Sequence, residues 1–195
     1  MARAIAFDYD QALERATWLF WKSGYPGTSL RDLLKIMDIG EGSFYNTLKS
    51  KKQLYLACVK RYEETEGRKR WQALMSASTA SQGVRALFDV VLDCLDDPST
   101  PSRLCMLAAM ASEEVLSDPD LRKFAEDGLK GFQVSLTERL SQDREQGRLP
   151  TTLDPHITAS VIVTYLQGAW RMALVDYERP RFERQIDAFL SGLGL

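Results

Sequence analysis

Between Thr28 and Lys52 the chain gathers hydroxyl, carboxylate, amide and ammonium side chains at spacings that suit hydrogen bonding to another molecule. Asn46 offers an amide that can donate and accept at once, and Glu41 a carboxylate that can accept from an exocyclic amine. Thr28, Ser29, Ser43 and Tyr45 bring hydroxyls, and Lys49 and Lys52 bring ammonium groups. Such a set recognises rather than catalyses. His156 is the single histidine, and Cys58, Cys94 and Cys105 show no CxxC spacing, so neither a metal set nor a nucleophile–base pair is expected. No Gly-rich phosphate loop or other cofactor signature occurs, and acidic pairs such as Glu113-Glu114 read as surface charge.

The elements that must position the recognition set are short. Thr28 and Ser29 supply oxygens for a helix start, after which Leu30, Leu33, Leu34 and Met37 recur at helical spacing. The two glycines of Asp38-Ile39-Gly40-Glu41-Gly42 stop that helix. A second helix over Ser43 to Lys49 then turns Phe44 and Leu48 to one face and leaves Tyr45, Asn46 and Lys49 pointing away. Ser50, with Gln53 three residues on, opens the next helix as a capping box.

Two short helices joined by a glycine-containing turn, the second polar outward, fit a helix-turn-helix reader of the DNA major groove. In that reading Gly42 to Lys49 enters the groove, with Asn46 suited to adenine and Glu41 to cytosine N4. Ser29, Ser43, Tyr45, Lys49 and Lys52 then hold phosphates, and Thr28 belongs to the same contact set. The same spacing equally fits an ordinary pair of packed helices beside a solvated lysine run.

The run LFWKSGYPGTSLRDLLKIMDIGEGSFYNTLKSKKQLY resembles the N-terminal DNA-binding domain of TetR-family transcriptional regulators. Its landmarks are Leu19-Phe20, Gly24-Tyr25, Thr28-Ser29, Asp32-Leu33, Gly42-Ser43-Phe44-Tyr45, Lys49 and Lys51, and the likeness covers roughly residues 10–62. The chain departs from the family pattern at Met37, Asp38 and Gly40, where a small residue, a glycine and a serine are usual, and at Leu48, commonly Phe. The resemblance implies an all-α protein. A helix-turn-helix domain would span residues 1–50, with a connector helix about 51–75 inside a larger ligand-binding and dimerisation domain, 51–195. It also implies a homodimer on a pseudo-palindromic operator, a small-molecule effector, and repression. The last two helices, 154–177 and 180–193, would pack with a partner's as a four-helix bundle. Val161, Tyr165, Gly168, Ala169, Phe182, Ile186 and Phe189 are the residues expected at that contact.

The rest of the 195 residues agrees with this picture. Residues 1–60 carry 9 Lys and Arg against 6 Asp and Glu, whereas 61–195 carry 16 against 21, so the net charge of -2 hides a basic end that coincides with the motif. No apolar run approaches a membrane span, MARAIAFDYD lacks a secretory apolar segment, and the odd cysteine count fits reduced cytoplasm. Periodicity predicts about nine helices. They include Asp10 to Ser23 (closed by Gly24), a connector from Ser50 to Met75 bent at Gly67, and a buried helix over Ser102 to Leu116. Trp18 and Trp21 are expected to pack toward the following domain, and Arg68-Lys69-Arg70 to form a solvated face. Trp71, Met75, Phe88 and Cys105 are candidate pocket residues, as are Met106, Met110, Phe124 and Trp170. Thioethers and aromatic faces suit a hydrophobic or aromatic effector, although such residues at helical spacing are more often plain core. Other readings are a constitutive DNA binder, a sensor whose Cys105 reacts with electrophiles, and an all-α enzyme whose helix-turn-helix merely packs.

Overall fold

Asp8 opens the first helix, its carboxylate accepting from the Gln11 amide at 3.0 Å. The computed structural model describes residues 7–195, which leaves most of the N-terminal stretch read for a secretory signal outside it; every regular element among the described residues is helical. α1 (Tyr9–Ser23), α2 (Leu30–Met37) and α3 (Glu41–Leu48) close on the start of α4 (Lys51–Tyr62). Ala16, Phe20, Leu33, Met37, Phe44, Leu48, Leu54 and Tyr55 fill the space between them and are all buried. Ser29 caps α2 by accepting from the Asp32 amide, and Ser50 caps α4 by accepting from the Gln53 amide, both at 3.1 Å. Only half of the Ser50 capping box forms, because the Ser50 amide donates to the Leu48 carbonyl instead, at 2.7 Å.

α3 begins at Glu41, two residues before the expected Ser43. Extended Gly40 serves as its cap without a side chain, and the Gly40 carbonyl accepts from the Phe44 amide at 3.0 Å. Asp38 takes the left-handed conformation (φ 56°, ψ 48°) that ends α2, where the resembled family commonly places glycine. A short polar side chain tolerates that conformation better than most.

The connector keeps helical backbone from Lys51 to Ser76 but widens over Glu63–Gly67 into one π-turn before α5 (Arg68–Ser76). Such a turn holds an extra residue per hydrogen-bonded ring and is common at functional sites. α5 doubles back into α6 (Ala80–Asp96), and a Cβ at Gly83 would collide with the Leu74 carbonyl, so that contact requires glycine.

The segment expected as one helix over Ser102 to Leu116 is buried as anticipated, yet it forms two single turns, α7 (Met106–Ala109) and α8 (Glu113–Leu116). Distant donors supply part of what an unbroken helix would have supplied. Trp21 Nε1 donates to the Leu104 carbonyl (2.9 Å), and Arg171 donates to the carbonyls of Ala108 (3.0 Å) and Ala111 (2.7 Å). α9 (Pro119–Glu145), α10 (Pro155–Val175) and α11 (Arg179–Gly192) complete the chain. Asp118 and Asp154 cap α9 and α10, each with proline at the first helical position. The eleven α-helical segments among the described residues exceed the expected nine through the π-turn and the broken 102–116 stretch.

One ion cluster locks the C-terminal end of α9 to the α5–α6 turn. Fully buried Asp143 accepts from Arg139 (2.6 Å), Arg148 (2.5 Å) and the Ala80 amide (2.6 Å), while Arg139 also donates to the Ala77 carbonyl at 2.9 Å. The hydrogen bond from Arg148, helped by the Ala80 amide and by Arg139, outweighs burial and holds the Asp143 carboxyl at about 2. Truncating Asp143 to alanine would strand buried Arg139, and urea unfolding should register a loss of about 3–5 kcal/mol. Because the folded carboxyl titrates below its unfolded value of about 3.9, its contribution is complete above that pH and fades as pH falls toward 2. Asp143→Asn should therefore flatten the acid limb of stability against pH; an unaltered limb would refute the clamp.

Candidate nucleic-acid interface and internal cleft

Phe44 and Leu48 anchor α3 from below, leaving Glu41, Gly42, Tyr45 and Asn46 exposed on its outer face. The Tyr45 ring stands edge-on to Phe44, with centroids 5.3 Å apart, which fixes the direction of its hydroxyl. The Asn46 amide has no hydrogen-bond partner among the described residues, so both its donor and its acceptor face outward. Lys49 lies exposed just past the helix and donates to the Asn46 carbonyl at 2.8 Å, closing the C-terminal turn. Ser43 is half-buried, and Ser29 is exposed with its hydroxyl donating to Asp32 at 2.6 Å.

Two expected members of this surface are committed elsewhere. Thr28 is 2% exposed, and its hydroxyl donates inward to the Gly24 carbonyl at 2.7 Å. It ties the loop to α1. Lys52 pairs with Asp118 (3.1 Å) and Asp120 (2.6 Å) at the start of α9, because the fold brings that acidic helix start beside α4. Its ammonium is a strut between helices and not a free phosphate ligand. Sequence reasoning passed over Arg31, exposed on α2 without an acid partner among the described residues. Its place off the Leu30, Leu33 and Leu34 stripe was the signal.

A cleft of about 850 Å³ opens between the π-turn, α5, α9 and α10. Trp71, Phe124, Phe132 and Trp170 give it aromatic walls, with Leu107, Leu129 and Leu166 between them. Four of the expected pocket residues, Trp71, Cys105, Phe124 and Trp170, line it; Met75, Phe88, Met106 and Met110 do not. Met75 is on the outer surface, and Met106 and Met110 are sealed in the core. Phe88 is turned toward Tyr165 (5.7 Å) and Phe189 (6.2 Å). Helical period alone cannot separate a core-facing methionine from one facing a cavity.

The polar part of the cleft is what sequence reasoning missed. Arg70 is buried at 9% exposure, not solvated as expected, with its guanidinium 5.6 Å from the Tyr62 ring centroid and 5.5 Å from that of Trp170. Glu63, in the π-turn, reaches it at 3.2 Å. Burial raises the Glu63 carboxyl above its ordinary range, and Arg70 opposes that rise. A charged tripeptide carries no periodicity that announces burial, and Glu63 stands seven residues, two helical turns, before Arg70.

The last two helices divide the expected contact residues. Phe182 and Ile186 are buried within their own protomer, at 3% and 2% exposure. Tyr165 and Phe189 stack on each other at 3.9 Å, and Ala169 is half-buried. Val161 and Gly168 remain exposed, within an α10 stripe that also shows Ile157, Thr164, Met172 and Val175. Those positions recur every three or four residues along one face. α11 faces inward with its aromatics because α6 lies beneath it.

The comparisons with known proteins agree with this geometry. The family model for the tetracyclin repressor-like C-terminal domain matches residues 80–189. An uncharacterized HTH-type transcriptional regulator of Bacillus subtilis, YezE, is 31% identical, over 99% of this chain and 100% of its own. The HTH-type transcriptional repressor NemR of Escherichia coli is 24% identical, over 75% of this chain and 73% of its own. Among solved structures, a cysteine mutant of the TetR family transcriptional regulator CifR, complexed with 26-base-pair operator DNA, matches with a TM-score of 0.89 and 28% identity, over 97% of this chain and 98% of that one.

The cysteines yield a direct test of the cleft wall. Cys105 is 3% exposed and Cys58 is fully buried; burial raises the Cys105 thiol and pushes that of Cys58 up to about 12. Maleimide should label half-buried Cys94 first and Cys105 at least ~100-fold more slowly than a free thiol. Mass mapping of timed samples checks the order, and rapid labelling of Cys105 in the folded protein would contradict it.

Proposed function

The chain belongs to the TetR family of transcriptional regulators, and from that membership we propose that it is a repressor which binds a pseudo-palindromic operator as a homodimer and is released by a small hydrophobic or aromatic effector. The observation that carries this reading is the outer face of α3, where Asn46 leaves its amide unpaired between exposed Glu41, Tyr45 and Lys49. A helix held from below by two apolar residues and polar above fits a major groove. In this reading Asn46 and Glu41 meet base edges, while Ser29, Ser43, Tyr45 and Lys49 meet phosphates, joined by Arg31. Residues 1–50 form the reader and 51–195 the ligand-binding and dimerisation part.

The exposed α10 stripe supports the dimer. Ile157, Val161, Met172 and Val175 stay in water in a single protomer, with Gly168 between them, and a two-fold contact would remove them from it. Release follows from the way the cleft shares its walls with the joints to the reader. Leu104, which accepts from Trp21 of α1, directly precedes Cys105 in the cleft wall. α9, which lines the cleft, holds Lys52 at the start of α4 through its first turn. An effector wedged against α9 would shift both joints and change the separation of the two readers. Readers that no longer match one helical turn of DNA, roughly 34 Å, lose simultaneous contact.

A cleft of this size with aromatic walls favours an effector over constitutive binding. The buried, proton-retaining thiol of Cys105 favours reversible ligand binding over electrophile sensing. The reader acts on cytoplasmic DNA. No helix among the described residues is long and apolar enough to cross a membrane.

Fluorescence anisotropy on selected genomic fragments, at several salt concentrations, tests the reader. Lys49→Ala should weaken binding to every sequence and reduce the salt slope by about 1, whereas Asn46→Ala should cost about 1–3 kcal/mol at one base position and relax specificity there. Small, equal effects of both would defeat the assignment. Gly168→Arg tests the dimer: sedimentation should show a folded monomer, and operator affinity should fall with it.

A further inference from the structure

Arg70 is a buried cation held only by long contacts. Its contacts with Glu63, at 3.2 and 3.4 Å, and with the Tyr62 hydroxyl, at 3.4 Å, are long for charge-assisted hydrogen bonds, which lie near ~2.7–2.9 Å. Arg139 and Arg148, by contrast, approach Asp143 at 2.6 and 2.5 Å. Arg70 also faces the cleft, and its five N–H donors exceed the three long contacts it makes. The acids at the cleft rim, Glu64 and Asp127, are exposed and solvated, so the deep charges that an entering molecule meets are those of the Arg70–Glu63 pair.

Glu63 reaches Arg70 only by lying across Gly67. A Cβ at Gly67 would crowd the Glu63 carboxylate, and that side chain would have to shift from the position in which it pairs with Arg70. The pair thus clasps the π-turn, joining its first residue to the first turn of α5.

We infer that the cleft takes a planar aromatic carboxylate, whose ring lies among Trp71, Phe124 and Trp170 and whose carboxylate pairs with Arg70 in place of Glu63. This inference rests on the effector reading and gives the effector a chemical class. A carboxylate matches the planar guanidinium fork, and the flanking Tyr62 and Trp170 rings hold that fork in one orientation. The exchange also gives the ligand a mechanical consequence. Glu63, once displaced, no longer clasps the π-turn, and the connector can change its winding between reader and cleft.

Calorimetric titration with 2-naphthoate, 2-naphthamide and 2-naphthyltrimethylammonium tests the class. The purified full chain should bind the carboxylate about tenfold more tightly than the amide and more tightly still than the ammonium. Arg70→Gln should abolish the preference. Glu63→Gln, a near-isosteric change that leaves Arg70 in place, should tighten naphthoate severalfold while leaving the amide unchanged, and it carries the test if Arg70→Gln does not fold. Equal binding of the amide, tighter binding of the ammonium, no binding of the carboxylate, or a Glu63→Gln protein with unaltered naphthoate affinity would overturn the assignment. Operator binding measured with and without naphthoate separates this from the broader reading. Arg70-dependent naphthoate binding without any change in operator affinity keeps the ligand class and removes the effector role. Operator release by other compounds, with no preference for naphthoate over the amide, keeps the effector role and removes the class.

Discussion

A guanidinium cannot shed its proton at any pH a protein meets, so burying Arg70 obliges its surroundings to accept a permanent charge. Tyr62 and Trp170 do so with their ring faces and Glu63 with its carboxylate. These partners come from the connector and from α10, which fixes the two against each other. Tyr62 is also held from the other side, where the Trp21 ring meets it edge-on at 4.8 Å. Burial keeps the Tyr62 phenol protonated far beyond its ordinary range, so it remains a neutral member of the stack. A continuous line of contacts therefore runs from α1 through the connector to α10, with a buried cation at its centre.

The chain uses buried charge in two ways, and the difference is geometric. Around Asp143 both carboxylate oxygens are met at short range, so it clamps the C-terminal part of α9 to the start of α6. Around Arg70 the distances are long and one side faces a cavity. The first arrangement resists change, whereas the second can exchange partners at small cost. α9 spans both, with its far end clamped and its first turn holding Lys52 of the connector. A helix fixed at one end and bearing on the reader at the other is suited to transmitting displacement.

The reader shows how similar side chains acquire different work from position alone. Thr28 and Ser29 are adjacent hydroxyls, yet one is turned inward to the Gly24 carbonyl while the other caps α2 at the surface. Lys49, Lys51 and Lys52 lie within four positions: the first closes α3, the second rests 4.4 Å from the Tyr25 ring centroid, and the third braces α9. Only Lys49 stays exposed. The count of lysines in a run therefore overstates the positive charge offered to a partner.

What could be read from the amino-acid order was whatever depends on neighbours within a turn or two. Ser29 and Ser50 announced their helices because a cap bonds to amides two or three residues away. The α3 face was legible because Phe44 and Leu48, four apart, leave Asn46 no choice of side. The remaining features depend on residues remote in sequence. The 102–116 stretch forms two turns whose carbonyls are met in part by Trp21 and Arg171, some sixty or more residues distant. Phe182 and Ile186 turned into their own protomer because α6 covers them, and Arg70 went inside because Trp170 was waiting a hundred residues on. Period and capping are local properties of a chain, whereas the partner that covers a face or neutralises a charge exists only once the helices have packed.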